Sequence, residues 1–130
     1  MIDANVYNYL KAESTIIAVT GQRIYNTILP AKTTYPAITF RATDHDIDNV
    51  FGGSTGFVRS DYYIDAWGAN ITAADSLATI IRNAMKDLTG SFGGITVQQI
   101  FITMGPLAVF EDSTEAFRVT QMFSIWHGEG

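Results

Sequence analysis

The sequence of 130 residues contains no cysteine. That removes disulfides, thiolate metal sites and cysteine nucleophiles at once. Charge is also scarce: 16% of residues are Asp, Glu, Lys or Arg, and the 8 basic against 13 acidic residues leave a net charge of −5. A protein that holds nucleic acid by neutralising phosphates needs the opposite balance. No apolar run approaches the ~20 residues of a membrane span, and Met1-Ile2-Asp3-Ala4-Asn5 has neither the basic flank nor the apolar stretch of an export signal. Neither a membrane location nor export is expected.

What is present is apolar: 47% of residues are hydrophobic, enough to bury a core. The length suits one domain, 1–130. With so few charges, part of its surface must be apolar, and oligomerisation is the natural way to cover it.

Asp3 reads as an N-cap before a helix with Val6, Tyr9 and Leu10 on one face, ending near Ser14. A second short helix carries Ile16, Ile17 and Val19 and stops at Gly21. Ile24 to Leu29, the run opened by Pro36 with Ile38, Phe40 and Ala42 alternating, and Phe57 to Trp67 read as strands. Between the last two, Asp44 to Gly56 has the composition of a long loop, with three aspartates and the cluster Gly52-Gly53-Ser54-Thr55-Gly56.

The clearest helix follows Gly68. Thr72 and Asp75 resemble a capping box, Leu77, Ile80, Ile81, Ala84 and Leu88 form the apolar stripe, and Gly90 is the expected stop. Ile95 to Met104 and Ala116 to His127 complete the strands, joined through Gly105-Pro106 and the acidic turn at Glu111-Asp112. The expected fold is α+β: a mainly antiparallel sheet of about five strands with helices on one face.

Catalytic and metal patterns break down on inspection. Gly52 to Gly56 spells G-x-S-x-G, and Ser54, Asp61, Asp65 and His127 stand in the hydrolase order. A nucleophile elbow, however, needs a strand before the serine and a helix after it, and here a loop precedes and a strand follows. Asp44-His45-Asp46-Ile47-Asp48 opens like a calcium loop, yet Asn49 replaces its turn glycine and Thr55 its final glutamate. His45 and His127 have no partner at ligand spacing and read as surface residues. Ser91-Phe92-Gly93-Gly94 follows a helix instead of preceding one, so it is no phosphate cradle. No catalytic residue, metal or cofactor is assigned.

A surface signal remains. Alternation puts Tyr62, Ile64 and Ala66 on one face of the third strand, and Arg59, Asp61, Tyr63, Asp65 and Trp67 on the other. In the last strand Phe117, Val119, Phe123 and Ile125 suit the helix side, leaving Arg118, Thr120, Met122, Ser124 and Trp126 opposite. Tyr63, Trp67, Met122, Trp126, Arg59 and Arg118 are therefore the candidate subunit interface, of residue types enriched in such contacts.

Gly21-Gln22-Arg23-Ile24-Tyr25, Leu29-Pro30, Tyr35-Pro36-Ala37-Ile38-Thr39-Phe40, Tyr63-Ile64-Asp65-Ala66-Trp67, the helix from Ala73 to Met85 and the terminal strand together resemble the tail-completion (tail terminator) proteins of siphophages and gene transfer agents. The resemblance implies a non-enzymatic virion protein assembled in the bacterial host cytoplasm. It would form a ring, commonly a hexamer, at the head-proximal end of the tail tube, where it stops polymerisation and joins the tail-tube protein to a head-side connector. DNA would only pass through the lumen, and Asp44, Asp46, Asp48 and Phe51 are the candidate lumen or inter-ring residues. A tail-tube or head-closure protein of the same machinery is the alternative. A small hydrolase using Ser54 and His127 is the other.

Overall fold

The computed structural model describes residues 2–50, 53–112 and 115–128, with 44–50 and 53–57 described by their backbone alone. The chain folds in the order α1 (Asp3–Ala12), α2 (Ser14–Thr20), β1 (Ile24–Asn26), β2 (Ala37–Val50), β3 (Gly53–Gly68), α3 (Ile71–Met85), β4 (Gly90–Phe92), β5 (Ile95–Glu111) and β6 (Ala116–Gly128).

The class is α+β, but the sheet is mixed and has six strands, not five, in the order β1-β2-β3-β6-β5-β4. β1 pairs with β2 in parallel, and the other neighbours are antiparallel. The added strand is β4, three residues long and too short to show alternation. β1 stops at Asn26 instead of Leu29. Parallel neighbours need a connection that runs back along the sheet, and the residues from 27 to 36 supply it.

The segment expected as a loop from Asp44 to Gly56 is instead the far half of a long hairpin. β2 runs to Val50 and β3 starts at Gly53, with Asp46 opposite Arg59 and Ile47 opposite Val58. Pairing with a β-rich partner overrides the weak strand preference of the aspartates. Phe51 lies outside the described residues. A second hairpin joins β5 to β6. β5 does not stop at Gly105-Pro106 but continues through a register shift there, a place where a sheet tolerates proline. The two hairpin tips lie at opposite ends of the sheet.

Helix ends also differ from expectation. Asn70, not Thr72, caps α3, its side chain accepting from Ala73 N at 2.8 Å. The buried stripe is Ala74, Leu77, Ala78, Ile81 and Met85, while Ile80, Ala84 and Leu88 sit at its margin. Asp87, at φ 57°, takes the left-handed position after the helix, and Gly90 belongs to β4. Gly21 does end α2 with a positive φ of 58°.

Asp3 makes no cap bond. Its carboxylate instead accepts from the Tyr62 hydroxyl and from Asn26 Nδ2 (3.1 Å), tying the start of α1 to the β1 side of the sheet. The other sheet edge is held by the same helix. Asn5 Nδ2 donates to Gly93 O at 2.8 Å, Tyr9 stacks on Phe92 at 4.5 Å, and the Tyr9 hydroxyl donates to Ala84 O. Burial, with Glu13 adding to it, pushes the Tyr9 hydroxyl up to about 12, and burial with Asp3 likewise raises Tyr62. Both phenols therefore stay protonated donors at neutral pH. Beneath α1 lies the main core, in which Val6, Leu10 and Ile16 meet Phe40, Tyr62, Ile64, Ile81 and Phe123.

Gly93 is the tightest point of this arrangement. A Cβ there would sit 1.9 Å from Asn5 O, and its φ of 55° disfavours any side chain. Gly93→Ala is expected to cost on the order of 3 kcal/mol, in the range of severe single substitutions. Urea denaturation followed by circular dichroism reads the shift, and an unchanged midpoint would show that α1 does not depend on this approach.

Candidate functional site: the helix-free sheet face

The helices cover one face of the sheet, and the alternation expected for β3 and β6 holds. Tyr62, Ile64, Ala66, Val119, Phe123 and Ile125 join the helix-side core. The other face is built as rows across the strands. Register aligns Ala37 with Trp67 and Arg118, Thr39 with Asp65 and Thr120, Arg41 with Tyr63 and Met122, Asp61 with Ser124, and Arg59 with Trp126.

Each charged group in these rows has a partner. Asp65, 4% exposed, accepts from Thr120 Oγ1 at 2.6 Å and from Thr39 Oγ1 at 3.2 Å. Thr39 Oγ1 in turn accepts from Trp67 Nε1 at 2.9 Å, so three strands are joined through one carboxylate. Asp61 accepts from Ser124 Oγ at 2.6 Å and pairs with Arg59 Nε at 3.3 Å. The Arg41 guanidinium lies 4.5 Å from the Tyr63 ring centroid, and that of Arg118 lies 5.7 Å from Trp67 while pairing with Glu111 at 2.8 Å. A buried carboxylate held by hydroxyl donors from neighbouring strands fixes their register.

The six candidate interface residues do share this face, but not equally. Tyr63, Met122, Trp126, Arg59 and Arg118 are half-buried. Trp67 is only 7% exposed, because the β1–β2 connection lays Leu29 and Tyr35 against it together with Ala37 and Ala116. Sequence alternation placed the tryptophan on the correct face but carried no signal for the covering segment. The buried hydroxyls of Thr39, Thr120 and Ser124 were also missed, although each stands directly across from an aspartate in register.

Other chemistry-bearing residues fall elsewhere. Asp44, Asp46 and Asp48 are in extended strand, which cannot wrap a cation as a calcium loop does. Ser54 is in β3, within a hairpin and not before a helix. His127 is buried, not at the surface. Its Nδ1 lies 2.8 Å from Gly128 O, which can only accept, so Nε2 of the neutral ring is the acceptor for the Ser60 hydroxyl at 2.8 Å. That pair sits on the core side of the sheet, shielded from any substrate. Among the described residues no group of three or more His, Cys, Asp or Glu could hold a metal. No described helix is long and apolar enough to cross a membrane.

Asp65→Ala is expected to destabilise by about 1–3 kcal/mol, since it strands the Thr39 and Thr120 hydroxyls in a buried setting. Thr120→Val should cost less, because it leaves Asp65 one donor. Chemical denaturation of the two variants reads the order, and equal small effects would show that the ladder does not hold the face.

The fold is a single α+β sheet with helices on one face and this polar, aromatic face on the other. The family model for Tail completion protein gp17 matches residues 4–128, and the chain belongs to that family. It is thus a phage tail structural protein and a component of the virion. A solved structure, the virion of a native gene transfer agent particle, contains a chain with the same fold. The two superpose with a TM-score of 0.73 at 15% identity, over 95% of this chain and 92% of that one. Among curated proteins no sequence matches.

Proposed function

We propose that the protein forms a ring at the head-proximal end of the tail tube, where it stops tube polymerisation and presents the surface to which the head side joins. The observation that carries this reading is the family match from residue 4 to residue 128.

A ring requires a heterologous contact, one patch meeting a different patch on the next subunit. The helix-free face offers Arg59, Tyr63, Arg118, Met122 and Trp126 for one such patch, with Trp67 as the packed floor beneath. A hexamer is the stoichiometry we favour. At −5 per chain, six copies carry about −30, a field that repels DNA and lets it slide. We assign the β2–β3 hairpin, with Asp44, Asp46, Asp48 and Phe51, to the lumen or to contact with an adjoining ring. The tail-tube protein and a head-side connector are then the partners.

Light scattering across a concentration series, followed by negative-stain electron microscopy, tests the ring. Six copies of the 14.3 kDa chain make a species of about 86 kDa, expected as closed rings. Open-ended tubes would point instead to a tail-tube subunit. A monomer that also ignores purified tail tubes would overturn the ring. Replacing Asp44, Asp46 and Asp48 together with Lys should impair ring assembly or DNA passage; intact rings with unchanged infectivity would remove this assignment of the hairpin.

A further inference from the structure

β5 is an edge strand for most of its length. β4 borders it only from Ile95 to Val97, and Ile100 O accepts from Asp87 N at 3.2 Å. From Phe101 to Phe110 no strand lies on its outer side among the described residues. Free edges are usually protected by charge, yet no charged residue occurs between Ile95 and Phe110. Pro106 and the neighbouring register shifts interrupt this edge but leave Leu107 to Phe110 extended.

The composition of that last stretch is unusual for an edge. Leu107 and Val109 share the helix-free face with Thr120 and Arg118, while Ala108 and Phe110 share the other face with Val119 and Phe117. Four consecutive apolar residues make both faces apolar, the pattern of an interior strand. Yet Leu107 is 53% exposed, Phe110 48% and Phe101 49%. Beside the strand, a cleft of about 310 Å³ is lined by Ile71, Pro106, Ala108 and Val119.

The same chain carries a second free edge. β1 borders β2 only from Ile38 to Phe40, and β2 continues to Val50. β1 shields one end of its neighbour and β4 shields the opposite end of the sheet's other side, so the two free edges lie at diagonally opposite corners. Three antiparallel pairings separate β2 from β5, so these strands point in opposite directions. Copies set side by side in one orientation therefore bring β5 against β2 antiparallel, the favoured pairing.

We propose that the free edge of β5 adds onto the free edge of β2 in a second copy of this chain, so that one sheet runs from subunit to subunit. A second copy is the occupant because the chain carries both unlike halves of the contact, and unlike halves are what a closed ring uses. An isologous β5–β5 contact would use one edge twice and end at a dimer. This inference rests on the ring reading and names where its subunits join.

The absence of cysteine makes the test direct. A chain carrying both Ile47→Cys and Ala108→Cys, which stand in register with Val58 and Val119 on the helix side of the sheet, is expected, when treated with a short bismaleimide, to give a ladder of up to six cross-linked chains. Mixed single variants should give dimers only, and each single variant alone should give none. Self-linking of the Ala108→Cys variant would overturn the proposal in favour of an isologous contact. Absence of a ladder where light scattering shows rings would overturn edge pairing and leave the ring standing, whereas absence of both ladder and rings would overturn both. Independently, Leu107→Lys should lower the scattering mass to 14.3 kDa with an unchanged circular dichroism spectrum. A retained oligomer would count against the edge.

Discussion

The fold depends on α1 reaching both edges of one sheet. β1 and β4 are three residues each and contribute only three paired positions apiece, too few to be stable by themselves. They are held because the first two turns of α1 place Asp3 against Tyr62 and Asn26, and Asn5 and Tyr9 against Gly93 and Phe92. The same helix seals the core with Val6 and Leu10. A sheet whose outermost strands touch a common helix must bend toward it.

The helix-free face supplies the second constraint. Asp61 and Asp65 are both buried there, each satisfied by a hydroxyl on the neighbouring strand. A slip of one residue in β3 would move both carboxylates into the apolar core under α3, where nothing waits to pair with them. The polar rows thus specify register where apolar packing alone would tolerate error. Their large neighbours, Tyr63, Arg118, Met122 and Trp126, stay half-exposed on the same face.

Much of this was legible in the residues. The stripe on α3 and the two-residue alternation of Tyr62, Ile64 and Ala66 are strong periodic signals, and each element formed with the expected face inward. Short or composition-poor elements were not legible. β4, Gly-Ser-Phe, has no period to detect, and Asp44 to Asp48 are poor strand formers that become a strand only because β3 lies alongside. The burial of Trp67 depends on Leu29 and Tyr35, which lie more than thirty positions earlier in the chain, so no local pattern could show it. The family was recognisable from dipeptide and strand motifs spread along the whole length. The exposed edge of β5, with Phe101, Leu107 and Phe110, was not, because these are ordinary strand residues distinguished only by what fails to cover them.

The two hairpin tips leave opposite ends of a strand array in which β3 alone has 16 residues, a length of about 50 Å. At that separation, changes at one tip are energetically independent of changes at the other. Whatever meets the β2–β3 turn can drift in shape and charge without disturbing what meets the β5–β6 turn. The two hairpins can therefore vary separately, with the helix-clasped sheet between them as the spacer.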